Sequence, residues 1–281
     1  MSQHVAAIGD NCLDVYIEQD ALTVGGNALN VAVNWAIAGL PAVYFGAVGD
    51  DPASDVVLEV LEEAGLDRRT VEVTTGPTGV TLIRLVDSDR QFVFEEFGVG
   101  ALWRPDNHLV DLLSTMAWVH VGGPLVTTDV AEQIGAAGAR VSVDLSTTPI
   151  SESLRGVEIA FGSWSTADLD GAERVAARMT SLGARLGVVT CGEHGSLVHD
   201  GRDVLFKAAE PAILVDTCGA GDSYIAAFVA AHLRGEAPTT CLKAATAAAT
   251  GTCFHLGGFT QRSRAVPAWV KEQYYRRVGI G

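Results

Sequence analysis

Short apolar runs bounded by Gly, Asp or polar clusters alternate along this chain with longer stretches in which apolar residues recur every three or four positions. The short runs at 5–8, 42–48, 118–121, 141–144, 159–161 and 186–190 read as buried strands, and the periodic stretches read as helices. Helices are predicted over 52–64, where Val56, Val57, Val60 and Leu61 share a face, near 128–137, over 169–182, over the small-residue stretch 240–254, and from Trp269 onward. Another follows Gly25 and Gly26 and carries Val31, Trp35 and Ile37. Strand and helix alternating in this way predict an α/β fold with a mostly parallel sheet. A short β segment at 15–17, two β-rich runs at 80–86 and 91–97, and two more around 195–199 and 204–206 interrupt that order. The polar link Asp87-Ser88-Asp89-Arg90 predicts a hairpin between 80–86 and 91–97. There is no internal repeat, low-complexity tract or linker, which favours one domain over two.

Composition narrows the class. With 48% apolar residues in 281, the chain is long and apolar enough to bury a substantial core. Its 34 acidic and 19 basic residues give a formal charge of −15, which argues against nucleic acid or an anionic membrane surface as the main partner. The start lacks a basic segment followed by an apolar one, and no apolar stretch reaches the roughly 18–20 residues that a membrane span needs, so a cytoplasmic protein is expected. Five cysteines without a C-x-x-C pair suggest reduced thiols rather than a disulfide framework, and the seven histidines have no metal-site spacing.

Candidate chemistry concentrates in Asp216-Thr217-Cys218-Gly219-Ala220-Gly221-Asp222. Ile225, Phe228, Val229 and Leu233 follow at helical spacing, so 219–222 is a helix entry, where free N–H groups and the helix dipole favour an anion. A carboxylate there would repel a phosphate that was merely bound. It makes sense as a base taking a proton from a hydroxyl that attacks the phosphate, which marks Asp222 as the candidate catalytic base. A helix cap after a glycine turn is the plainer alternative. A dinucleotide fingerprint fits poorly, because the third glycine is missing and the motif lies late in the chain, and no Lys-Ser/Thr follows to make a P-loop.

The segment 216–222 resembles the C-terminal signature of the ribokinase-like (PfkB) family of sugar and nucleoside kinases, and Gly25-Gly26-Asn27-Ala28-Leu29-Asn30-Val31-Ala32 resembles that family's N-terminal sugar-binding signature. Within the family, 8–16, 25–33, 48–51 and 216–228 are most similar to the fructoselysine 6-kinases, which act on Amadori-type sugar-amine conjugates. The resemblance implies a three-layer α/β/α sandwich in which residues 1–281 form a single kinase domain. Lid strands from about 13–24 and 78–100 would cover the sugar and could also form a homodimer surface. It further implies ATP and Mg²⁺, with Asp222 as base and the N–H groups of Gly219, Ala220 and Gly221 stabilising the transferred phosphoryl group. Asp14, Gly25, Gly26 and Asn30 would bind the sugar. Thr190, Gly192 and Gly195, with Gly219 and Gly221, would bind the nucleotide, and the carbonyls of Asp216 and Cys218 would hold a monovalent cation such as K⁺.

One departure stands out. Ser163 takes the place where the family usually has the Asn of an Asn-x-x-Glu motif, and no Glu follows. The expected activity is ATP-dependent transfer to a primary hydroxyl of a fructosamine-type substrate. The alternatives are another kinase of the family acting on a ketohexose, ribose or nucleoside, a catalytically silent sugar- or nucleotide-binding regulator, and, most weakly, a nicotinamide dehydrogenase.

Overall fold

The computed structural model describes residues 4–125, 128–148, 150 and 153–280. The chain opens with strand β1 (Val5–Ile8), antiparallel β2 (Cys12–Tyr16) and β3 (Ala21–Gly25), helix α1 (Asn27–Ile37), β4 (Ala42–Val48) and α2 (Pro52–Glu63). Asp51 caps α2 by accepting from the Ser54 N–H, and Pro52 stands at the first turn, where its missing N–H costs nothing. Next come β5 (Val71–Val73), β6 (Val80–Val86), β7 (Asp89–Glu96), α3 (Asn107–Leu113), β8 (Trp118–Val121), α4 (Thr128–Ala136) and β9 (Val141–Asp144). The remainder is β10 (Val157–Ser163), α5 (Leu169–Ser181), β11 (Leu186–Thr190), β12 (Ser196–His199), β13 (Val204–Lys207), α6 (Ala220–Leu233), α7 (Pro238–Thr252), β14 (Arg264–Ala265) and α8 (Ala268–Tyr274).

Nine strands form the main sheet in the order β13-β12-β11-β10-β9-β8-β1-β4-β5. All pairs from β11 to β5 are parallel, and at the other edge β12 alone is reversed, pairing antiparallel with both β11 and β13. Alternation along the strands divides the core. Val5, Ala7, Ile159 and Val188 pack with α1, α2, α6 and α7 on one face, while Ala6, Ile8, Val119 and Val143 pack with α4 and α5 on the other. The observed architecture is thus the expected three-layer sandwich with a mostly parallel sheet.

A second sheet has the order β14-β3-β2-β6-β7. Leu13 and Val15 of β2 join the main core, whereas Asp14 and Tyr16 face the opposite way. Register aligns Thr23, Asp14, Thr81 and Glu95 in one row across β3, β2, β6 and β7. The predicted hairpin is present but tighter than expected: Asp87 and Ser88 alone form the turn, both at positive φ (50° and 66°), and Asp89 and Arg90 belong to β7. Ile37, placed with the apolar face of α1, is 62% exposed at the helix end. Strands β5 and β14 and helix α3, which are short and weakly patterned, were not expected.

Candidate active site

Parallel strands deliver their C-terminal ends to one edge of the sheet, the usual ligand edge of open α/β folds. Asp10 follows β1, Gly122 and Gly123 follow β8, and Asp144, Ser163 and Thr190 end β9, β10 and β11. Helices α1 and α6 start at this edge and bring into contact two motifs whose meeting residues are 192 and 195 positions apart. The Asn27 Nδ2 donates to Asp222 Oδ1 at 2.7 Å and the Asn30 Nδ2 donates to Asp222 Oδ2 at 2.6 Å. Burial pushes the Asp222 carboxyl up to about 7; the Asn30 hydrogen bond opposes that rise, while the nearby Asp144 and Asp10 charges add to it. Such a group is poised between its acid and base forms near neutrality. Asp14, 4% exposed, is raised to about 7 by burial, against the Cys12 hydrogen bond and with the Asp216, Asp222 and Asp10 charges.

The glycines expected at the site have different reasons to be glycine. A Cβ on Gly25 would lie 2.0 Å from Asp14 Oδ2, and one on Gly219, at φ 72°, would lie 2.1 Å from the Gly258 Cα. Gly26 caps α1 at φ 109°. Gly221 is exposed, and a Cβ there would meet nothing within 4 Å, so the protein itself does not require its small size. No side chain caps the α6 entry at Gly219. The Ala220 N–H reaches the Thr217 carbonyl at 3.3 Å, so it is partly engaged in the turn.

Asp216 is fully buried and holds the loop to the second sheet. Its Oδ2 accepts from the Tyr16 hydroxyl at 2.5 Å and from the Gly257 N–H at 2.9 Å, and its Oδ1 accepts from the Cys218 N–H at 2.9 Å. From the hairpin, the Arg90 Nη1 donates to the Thr217 carbonyl at 2.9 Å, and the Thr217 hydroxyl donates to Asp89 at 2.8 Å. Thr190 and the turn after it lie farther along the same edge. The Cys191 N–H closes that turn on the Gly195 carbonyl at 2.7 Å, with Gly192 and Gly195 at φ 53° and 119°. Trp164, just after Ser163, donates its backbone N–H to the Thr190 carbonyl at 2.8 Å.

The structure therefore brings Asp14, Gly25, Gly26, Asn30, Asp216, Cys218, Gly219 and Asp222 together, with Thr190, Gly192 and Gly195 along the edge. The sequence shows Asn27 only as a member of the N-terminal sugar-binding signature, and it assigns no role to Asp10, Asp144, His120 or Ser142. The legible signal was a carboxylate at the end of a parallel strand (Asp144) and polar residues on the alternation of buried strands (His120, Ser142). Among the described residues, no group of three or more His, Cys, Asp or Glu side chains is arranged to hold a metal ion. No helix among them is long and apolar enough to cross a membrane.

Comparison with known proteins bears on the family and the fold. The sequence model described as "pfkB family carbohydrate kinase" matches residues 4–262. The fructoselysine 6-kinase of Escherichia coli K12 is 32% identical over 270 residues, covering 91% of this chain and 99% of that protein. The fructosamine kinase FrlD of Bacillus subtilis 168 is 30% identical over 272 residues, covering 90% and 92%. Among solved structures, the adenosine kinase of Sinorhizobium meliloti superposes with a TM-score of 0.78 at 21% identity, covering 97% of this chain and 99% of that one. The Arabidopsis thaliana ribokinase complexed with ribose and ATP does so with a TM-score of 0.78 at 21% identity, covering 92% and 94%. At these identities the structural matches establish the fold.

Proposed function

Because this chain belongs to the pfkB family of carbohydrate kinases, and is thus a phosphotransferase acting on a sugar hydroxyl, we propose that it transfers the γ-phosphoryl group of ATP to a primary hydroxyl of a fructosamine-type substrate, with Asp222 as general base. The observation that carries this reading is the Asp222 carboxylate at an uncapped helix entry, held by two amide donors and raised to about 7. A base in that state accepts the hydroxyl proton as the oxygen attacks phosphorus, while N–H groups at Gly219 and Gly221 face the charge on the phosphoryl oxygens.

Orphaned acceptors support a polyhydroxyl ligand. Asn30 Oδ1 and Thr23 Oγ1 are buried with no hydrogen-bond partner, beside Gly258 and Gly257 respectively, and sugar hydroxyls would satisfy them. Asp14, in the same cross-strand row as Thr23, would take another pair of hydroxyls, with the second sheet acting as a lid. Glu95 ends that row on the exposed side, where its carboxylate suits the amine of a fructosamine. Mg²⁺ on the ATP phosphates would neutralise charge there when bound, held chiefly by phosphate and water oxygens, since Ser163 gives this edge no Asn-x-x-Glu pair. With both Asp216 carboxylate oxygens committed internally, the backbone carbonyls of Asp216 and Cys218 are the donors left for a monovalent cation, a set of hard oxygens that suits K⁺. Equal activity in K⁺ and in a large organic cation removes that site.

The deciding experiment is ATP consumption by wild type and Asp222→Asn with fructoselysine, other fructose-amino acids, psicoselysine, fructose, ribose and adenosine. Turnover that needs Asp222 and favours a fructosamine is expected. Preference for another sugar would transfer the assignment to that substrate, and turnover by Asp222→Asn near that of wild type would remove the base.

A further inference from the structure

Behind Asp222 a hydrogen-bonded chain runs through the core to the buried side of the sheet. Trp118 and His120 lie two residues apart on β8 and so share a face, and register places Ser142 of β9 directly beside His120. The Trp118 Nε1 lies 2.8 Å from Ser142 Oγ, Ser142 Oγ 3.0 Å from His120 Nδ1, and His120 Nε2 3.1 Å from Asn27 Oδ1. The Asn27 Nδ2 then meets Asp222 at 2.7 Å and Asp144 at 2.9 Å. Trp118, His120 and Ser142 are all fully buried, and none of them reaches the site itself.

The direction of every bond in this chain follows from its two ends. Ionised carboxylates only accept, so with Asp222 and Asp144 ionised the Asn27 amide turns its NH₂ toward them and its oxygen toward His120. His120 Nε2 must therefore carry hydrogen. Burial holds the ring well below its usual range, to about 3, so it is neutral and its Nδ1 is a bare acceptor. The Ser142 hydroxyl donates to that nitrogen and accepts from the Trp118 indole, which can only donate. All the donors point one way, from Trp118 to the two carboxylates. A Cβ on Gly122 would come within 1.9 Å of Asn27 Oδ1, so the chain also depends on a glycine at the end of β8.

We propose that His120 and Ser142 are positioning residues of the transfer reaction: they lock the Asn27 amide in the one orientation that donates to Asp222, so that the carboxylate presents its remaining lone pairs to the acceptor hydroxyl in ionised form. The inference rests on the reading of Asp222 as base. Without the His120 donor, the Asn27 oxygen loses its partner in a half-buried position, and its amide is free to rotate away from Asp222. Asp222 then keeps the Asn30 donor but loses the Asn27 donor, facing the Asp144 and Asp10 charges with less compensation.

The test is steady-state kinetics across pH for wild type, His120→Phe, His120→Gln, Ser142→Ala and Asp222→Asn, with a thermal melt of each. The titratable groups facing Asp222 are Asp10 after β1, Asp14 on β2, Asp144 on β9 and Cys218 in the loop before α6, with His120 one residue removed behind Asn27. His120→Phe is expected to lower kcat roughly tenfold, to leave both KM values within about twofold, and to move the acid limb of the profile to higher pH. His120→Gln, whose amide nitrogen falls near the lost Nε2, should recover most of the rate and return the limb. Ser142→Ala removes only the hydroxyl and carries the same test should His120→Phe fail to fold. An unchanged kcat and acid limb in folded His120→Phe or Ser142→Ala, with Asp222→Asn inactive, would overturn the positioning role while leaving the base in place. Turnover by Asp222→Asn near that of wild type would instead show that the base reading, and with it the reason for the chain, had failed.

Discussion

Helices α1 and α6 enter the site in the same way, each through a glycine in a left-handed or open conformation, and they differ in what meets their free N–H groups. At α1 the protein supplies its own anion: Asp10 accepts from the Asn27 and Ala28 N–H groups at 3.1 Å each, behind Gly26. At α6 no side chain caps the entry behind Gly219, and Gly221 stands open to solvent. One helix start is completed by a carboxylate from another element and the other is capped by no side chain. On the proposed function, similar local devices serve stability in one place and chemistry in the other, and what separates them is whether a carboxylate from another element reaches the N–H groups.

Removing each carboxylate should separate the two roles. Asp222→Asn is expected to lower turnover by about two to four orders of magnitude with ATP binding largely retained, since it removes a base without closing the site. Asp10→Ala is expected to act mainly on stability, costing about 0.5–2 kcal/mol through the lost cap, with a lower melting temperature and a kcat loss under about tenfold. Calorimetry alongside initial rates checks both. A collapse of kcat in Asp10→Ala with an unchanged melting temperature would break the comparison, because α1 would then be a working anion site as well.

Much of this was readable from the chain alone. The 216–222 segment placed Asp222 at the mouth of a helix, and the strand–helix alternation gave the layered fold, because both depend on local periodicity and backbone conformation. The second sheet was only half legible: β6 and β7 alternate clearly, but β14 is two residues long and pairs with β3 more than 230 residues earlier. Asn27 has no distinct role legible in the sequence because its partners, Asp144, His120 and Asp222, lie 93 to 195 residues away. Local pattern identifies a helix start. It carries no record of which side chain from a distant strand will fill that start, and this is the property that distinguishes α1 from α6.

The smallest effect sharpens the comparison through pH. Asp222 and Asp14 are both raised to about 7 from ordinary values near 4. An acid whose native pKa is raised binds its proton more tightly folded than unfolded, so its contribution to stability is greatest below about pH 4 and declines as pH rises through about 7. Turnover should move the opposite way, rising through the same window as Asp222 ionises, with the apparent value shared among Asp222, Asp14 and Asp144 because they interact. The melting temperature of wild type should therefore fall by a few degrees between pH 5.5 and 8. Asp222→Asn should flatten part of that decline and melt higher than wild type at pH 8. The depressed carboxyl of Glu158, lowered to about 2 by its His232 hydrogen bond and by Arg140 and Arg185, loses its contribution only at more acidic pH and does not mask the trend. A melting temperature for Asp222→Asn that tracks wild type at both pH values would mean that ionising the buried α6 carboxylate costs the fold nothing, and the two helix entries would then differ in chemistry and not in stability.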